Sequence, residues 1–323
     1  MLSCDCWMQA MDSKKAGGTP SGFLSHRSLK DGAPMELKCI ATREERLSSF
    51  LRQELQMSSG LMNRLKWQQL FFVNGKPVHT DYPVVPGDII TVSLNEPEPE
   101  YPAEDGELTV LYEDDYLLAV DKPAGMLIHP SRSRTTGTLA NRVLAYYQKT
   151  GQACAFHPLT RLDRDTVGVV LLAKNSHIHR LLNDLHLQGG FQKNYHALVF
   201  GGPKEETGTI DAPIARLPLP SLLREVREDG KPSVTAYTLL ERKDEICKLA
   251  LRPITGRTHQ LRVHCAYMGF PILGDPQYGS AESQAFSQKL GLTTQLLCAK
   301  TLQFPHPITG KSICLSSRKD VTL

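Results

Sequence analysis

Residues 157–175 read HPLTRLDRDTVGVVLLAKN. The stretch changes character near its middle. The polar run Thr160-Arg161-Leu162-Asp163-Arg164-Asp165-Thr166 leads straight into GVVLLAK (168–174). An unbroken apolar run of that length predicts a strand buried on both faces. A polar loop at the mouth of a rigid strand is where catalytic groups tend to sit. Asp163 and Asp165 stand two apart, with Arg161 and Arg164 interleaved. Taken alone, the cluster reads more simply as a charged turn of surface ion pairs, each worth little.

Strand and helix patterns alternate on both sides of this run. LTVLY (108–112) and YLLAV (116–120) flank Glu113-Asp114-Asp115 and predict a hairpin. TLANRVLAYYQ (138–148) is amphipathic, and Ser176 is placed to cap a helix that closes at Gly189-Gly190. QKNYHALVF (192–200), SVTAYTLL (233–240) and ICKLALR (246–252) read as strands, and THQLRVHCAYM (258–268) as a helix. Adjacent strand pairs point to an α+β domain with a mixed, largely antiparallel sheet rather than a doubly wound one.

Upstream, residues 36–94 form a small module in the order helix, helix, hairpin, strand. Leu47, Phe50, Leu51 and Leu55 recur at helical spacing after Thr42, a candidate N-cap, and a second helix follows Ser58 or Ser59. Asn74-Gly75 between apolar runs marks the hairpin, and Pro86-Gly87-Asp88 turns into the strand Ile89–Val92. LNEPEPEYPAEDGE (94–107) carries six acids, three prolines and no basic residue, which suits a linker over 95–107. Residues 1–35 lack periodicity and are expected to be a disordered tail. The expected organisation is therefore tail, module 36–94, linker 95–107 and main domain 108–323.

Composition bounds the class. The 323 residues include 37 Lys+Arg and 34 Asp+Glu, a formal charge of +3. Removing the six acids of the linker leaves +9, which suits an anionic partner better than the total does. No run of about 18 apolar residues predicts a membrane span, and the N-terminus has no secretory pattern. None of the eight cysteines forms a C-x-x-C pair, and they read as reduced thiols of a cytoplasmic protein. Cys4 and Cys6 form a lone C-x-C pair, too little for a metal site. No glycine-rich phosphate loop is present.

Two further clusters could carry chemistry. ITGRTHQLRVH (254–264) crowds Arg257, His259, Arg262 and His264 onto a short helix and its entry. Two zinc-binding histidines would stand four apart on one face, whereas His259 and His264 stand five apart. Arginine is the more useful residue here, since a guanidinium grips a carboxylate or phosphate with two parallel hydrogen bonds. The bland reading is a solvated basic face. Tyr195, within FQKNYHALVF (191–200), reads by default as a core tyrosine with a satisfied hydroxyl.

Read together, these segments resemble the RluA-type RNA pseudouridine synthases. The family string HRLD-x-x-TSG stands here as TRLDRDTVG (160–168), and DKPAG stands at 121–125 with His129-Pro130 after it. K-x-Y is Lys193-Asn194-Tyr195, and R-T-H-Q-x-R-x-H is 257–264. GDPQYG (274–279) and CAKTLQFPHPITG (298–310) also look like family segments, so the likeness covers roughly residues 105–315. The 36–94 module resembles the S4-type RNA-binding domain that often precedes this catalytic domain.

The resemblance implies a pseudouridine synthase fold and an isomerase acting on structured RNA. Asp163 matches the catalytic aspartate, and Arg161 the arginine that replaces the flipped base in the stack. Tyr195 matches the tyrosine that stacks on the target base and moves a proton, and Arg262 the arginine paired with the aspartate. Lys193, Leu261 and Thr166 are expected to support the pocket. Thr160 stands where His is usual and Val167 where Ser is usual. The expected partner is ribosomal RNA, with transfer RNA as the alternative. No metal, no cofactor and no membrane are expected, and the chain is expected to be a monomer. Two other readings stay open: an RNA-binding protein of the same fold with little activity, and a hydrolase using Asp163 and Asp165.

Overall fold

The computed structural model describes residues 34–97, 99, 101–131 and 134–322. Most of the expected tail, with Cys4 and Cys6, lies outside them. The chain divides into two compact units, a smaller one of 36–93 with 306–311 and a larger one holding the other described residues.

The smaller unit runs β1 (Met35–Ile40), β2 (Glu45–Arg46), α1 (Leu47–Gln53), α2 (Ser59–Trp67), β3 (Phe71–Val73), β4 (Lys76–Pro77), β5 (Pro83–Val84) and β6 (Ile89–Leu94). Its main sheet has the order β1-β6-β3-β4. The Asn74-Gly75 hairpin joins β3 to β4, with both residues at positive φ. Two expectations need correcting. Strand β1 was not anticipated, although MELKCI alternates and buries Met35, Leu37 and Cys39. Helix α1 starts at Leu47, not after Thr42, because its first N–H groups have main-chain partners. Leu47 and Ser48 donate to the carbonyls of Tyr82 and Thr80, both at 2.8 Å.

The larger unit begins with β7 (Val110–Glu113), β8 (Leu117–Lys122), α3 (Leu139–Lys149), β9 (His157–Pro158), β10 (Val167–Ala173) and α4 (Ser176–Leu187). It continues with β11 (Gln192–Phe200), β12 (Thr207–Asp211), β13 (Ile214–Arg216), β14 (Arg224–Val226), β15 (Val234–Lys243) and β16 (Ile246–Pro253). Helices α5 (Gln260–Tyr267) and α6 (Ala281–Lys289) precede β17 (Leu297–Pro305) and β18 (Ser312–Ser316). A ten-stranded sheet has the main order β12-β15-β16-β11-β17-β10-β8-β7, with β18 on β17 and β9 on β10. Only β10 and β17 are parallel in it, so the domain is α+β with a mixed, largely antiparallel sheet. The opening stretch sits at its centre. From Gly168 to Ala173 strand β10 is buried, between β8 and β17.

Local chemistry sets the helix ends. Thr138 and Asn141 form a reciprocal capping box on α3. On α4 the cap is Asn175, not Ser176: its Oδ1 accepts from Ile178 N at 2.9 Å, while Ser176 donates its hydroxyl to Glu96. Glu96 also pairs with His157 at 2.8 Å, and Asp105 pairs with Lys149 at 2.7 Å. The acidic stretch thus belongs to the larger unit and is tied into it through Glu96 and Asp105. The hairpin of β13 and β14 was not foreseen.

Gly168 marks where the polar loop 160–166 enters β10. Its φ is +111°, and an added Cβ would stand 2.3 Å from the Ala299 carbonyl oxygen. That oxygen is backbone and cannot swing aside. Gly168→Ala is expected to lower the melting temperature by about 5 °C or more. A thermal melt within error of the parent would show that the β10–β17 crossing yields more easily than its geometry implies.

Candidate active site

The loop 160–166, the first half of β11 and the entry to α5 meet around a cleft of about 520 Å³. Arg161, Asp163, Thr166, Lys193, Tyr195, Leu261 and Arg262 all line it. These seven come from three separate stretches of chain. Among the described residues, Asp163 is the sole carboxylate of the lining. Asp165 turns away, buried, to accept from Gly125 N at 3.1 Å and to pair with Arg164 at 2.9 Å. The two acids, two apart in sequence, therefore do not share a site, and the paired-carboxylate hydrolase has no geometric basis.

Arg262 organises the floor. Its side chain is buried, and burial opposes its charge, but hydrogen bonds and charges from Asp275 and Asp163 prevail and raise its pKa. Nε and Nη2 donate to the two oxygens of Asp275 at 2.7 and 2.8 Å, a bidentate grip. Nη2 also donates to Gln277 Oε1 at 2.8 Å, and the guanidinium lies 4.9 Å from the Tyr278 ring centroid. Nη1 is left to donate to Asp163 Oδ2 at 3.1 Å. A guanidinium tied down at every other edge gives the carboxylate a fixed direction.

The loop carrying Asp163 is held from behind. Lys122 is fully buried and donates to the carbonyls of Pro123, Met126 and Arg164 at 2.9, 2.9 and 2.7 Å. Burial pulls its ammonium down to about 8, against the charges of Asp165 and Asp163. Thr160 is buried, and its hydroxyl accepts from Leu171 N at 3.1 Å, so it pins the loop base to β10. Val167 packs among Leu198, Leu273 and Cys298. The two positions that depart from the family string are thus structural here. Thr166 N donates to the Asp163 carbonyl at 3.2 Å and closes the turn.

Tyr195 sits where the β11–β17 register shifts, between Asn194 and Tyr195. Such a bulge re-aims a side chain. Burial, with Asp163 and Cys298 nearby, pushes its phenol up to about 12, so it stays protonated near neutral pH. Arg161 is exposed at the cleft edge. Lys193 lies 3.4 Å from His186 Nε2, and burial lowers its ammonium pKa. Leu261 is buried and joins the core beneath. Of the histidines near α5, His264 is fully buried between Thr235 and the Ala212 carbonyl, at 2.9 and 3.0 Å, whereas His259 faces the cleft. Among the described residues no group of three His, Cys, Asp or Glu could hold a metal ion, and no helix is long and apolar enough to cross a membrane.

Lys122, His259, Asp275, Gln277 and Tyr278 received no role from the sequence. Their signal was present, since each lies in one of the quoted strings, but a string does not say which polar residue faces which.

A family profile described as RNA pseudouridylate synthase matches residues 116–267. An uncharacterized RNA pseudouridine synthase of Bacillus subtilis is 36% identical over 283 residues, covering 85% of this chain and 91% of that one. The ribosomal large subunit pseudouridine synthase C of Vibrio cholerae is 34% identical, covering 83% and 88%. Among solved structures, human RNA pseudouridylate synthase domain containing 1 superposes with a TM-score of 0.56 at 25% identity, covering 68% and 86%.

Proposed function

The chain belongs to the RNA pseudouridylate synthase family and is an RNA pseudouridine synthase, an isomerase; from that premise we propose that it modifies ribosomal RNA with Asp163 as the catalytic carboxylate. The observation that carries this reading is the 3.1 Å ion pair of Arg262 with Asp163 in a cleft lined, among the described residues, by no other carboxylate. The Vibrio cholerae relative, named for the large ribosomal subunit, favours ribosomal over transfer RNA.

The target uridine must first leave its stack, at a cost of a few kcal/mol. Arg161, exposed at the cleft edge, fills the gap with a planar cation and offsets part of that cost. Tyr195 offers the uracil a π-face. The Asp163 carboxylate then bonds to C1′ as N1–C1′ breaks and the electron pair leaves on N1. The base rotates, C5 bonds to C1′ and the carboxylate departs; C5 loses one proton and N1 gains one. In the glycal variant the carboxylate instead takes the C2′ proton and later returns it. Either way atoms and electrons balance with no cofactor. A Tyr195 phenol held near 12 stays neutral near pH 7 and serves as an uncharged stacking surface for the uracil.

A second cleft of about 470 Å³ shares Gly256, Arg257 and Thr258 with the first. Arg216, Arg224, Arg227 and Lys231 join Arg257 along it, against the single carboxylate of Asp229. This basic groove suits the phosphates flanking the target. Arg216→Ala with Lys231→Ala is expected to raise KM, leave kcat unchanged and flatten the log affinity against log salt slope by about 1.4. An unaltered slope would remove the groove from the RNA path. The smaller unit is read as an S4-type module that adds RNA contacts, in a monomeric cytoplasmic protein.

Carbodiimide–primer-extension mapping of RNA from cells lacking the protein tests the assignment. One or more lost stops in ribosomal RNA are expected. Losses confined to transfer RNA would move the substrate there, and an unchanged map across both would overturn the proposal.

A further inference from the structure

Asp163 has two oxygens, and Arg262 accounts for one of them. Oδ2 accepts from the guanidinium, while Oδ1 lies 3.9 Å from His259 Nε2. His259 is held from its other side, with Nδ1 2.8 Å from the Tyr278 hydroxyl oxygen. That hydroxyl accepts from the main-chain N–H of Arg224 in β14, at 3.0 Å. With that backbone donor already on its oxygen, the hydroxyl is placed to give its own proton to His259 Nδ1. In that arrangement the imidazole carries its own proton on Nε2, the nitrogen on the side of Asp163. Burial disfavours a second proton on the ring, as do Arg262 and Arg224, against Asp163 and Asp275.

The backbone shows that this placement is enforced. His259 has φ +58°, in the left-handed region, at the N-cap of α5. Residues other than glycine are uncommon there, histidine being one of the better tolerated, and such positions gather at functional sites. Its side chain makes no capping bond to the helix, so capping does not account for it. The Tyr278 ring meets the His259 ring edge-on at 5.7 Å and the Arg262 guanidinium at 4.9 Å. One tyrosine therefore braces both groups that face the carboxylate.

We propose that His259 and Tyr278 are positioning residues: Tyr278, anchored to β14, orients the His259 Nε2–H toward Oδ1, so that Asp163 is steered from both oxygens when the uridine enters. This rests on Asp163 being the catalytic carboxylate. At 3.9 Å the histidine contact is longer than a hydrogen bond, and it shortens as the substrate displaces water from the cleft.

The test uses full-length enzyme on an RNA substrate, with Asp163→Asn as the reference. Tyr278→Phe removes the hydroxyl and keeps the ring on Arg262. His259→Gly removes the imidazole at a position glycine occupies without strain, so the melting temperature is expected to hold or rise. Both variants are expected to lose about 10- to 100-fold in kcat, the cost of a misplaced reacting group, with KM changed by less than about threefold. Wild-type kcat in both variants, with Asp163→Asn inactive, overturns the positioning role. So does a kcat loss matched by a fall in melting temperature, or a rise confined to KM. Retained turnover in Asp163→Asn would instead overturn the reading of Asp163 itself.

Discussion

Replacing Asp163 by Asn is expected to cut uridine isomerisation by at least about 10⁴-fold, the scale on which loss of a nucleophile registers, while RNA binding survives. The structure says why the two effects separate. Asparagine keeps the volume of the side chain, and its oxygen still accepts from Arg262 Nη1, which stands 3.1 Å from Oδ2. The turn that carries the residue is closed by its main chain, with Thr166 N donating to the Asp163 carbonyl at 3.2 Å. What disappears is the negative charge, and among the described residues no other carboxylate lines the cleft to replace it. Time courses read by carbodiimide mapping, beside filter binding of the same RNA, separate the two quantities. Turnover within tenfold of the parent would sink the assignment of Asp163.

Arg262→Met is expected to abolish turnover and destabilise the fold together. The Asp275 side chain is 1% exposed and both its oxygens take their charge-assisted bonds from this guanidinium. Removing one partner of a buried ion pair leaves the other uncompensated, at about 3–5 kcal/mol. For a chain of this size that corresponds to a fall of roughly 10 °C in melting temperature. The compensating variant is the discriminating one. Arg262→Met with Asp275→Leu removes both charges, so most of the stability is expected to return while activity does not. A single variant that melts with the parent would mean Asp275 finds another donor. A double variant that regains turnover would show that Asp163 needs no arginine.

Much of the fold was legible because the signals were local. GVVLLAK is apolar without alternation, and a strand buried on both faces is its simplest use. Asn74-Gly75 requires positive φ, and the hairpin follows. The misses came from competition between neighbours. Thr42 is a competent cap, but main-chain carbonyls at Thr80 and Tyr82 satisfy the first N–H groups of α1. Ser176 is a competent cap too, but Glu96, distant in sequence, recruits its hydroxyl and leaves Asn175 to the helix. Neither partner appears in a local window.

The chemistry divides in the same way. The sequence by itself determined which residue types were available: one polar loop before a buried strand, an arginine-rich helix entry, and a tyrosine on a strand. Joined to the family likeness, that named seven residues. Only the tertiary structure decided their directions. Asp163 and Asp165 are two residues apart and equivalent on paper, yet one faces Arg262 and the other is drawn back to Gly125. Arg262 and Asp163 are 99 positions apart, and Asp275 lies 13 beyond Arg262. A carboxylate's role follows from the charges and donors within a few ångströms of it. Spacing along the chain does not report those distances, because they are set by strand order and by a bulge in β11.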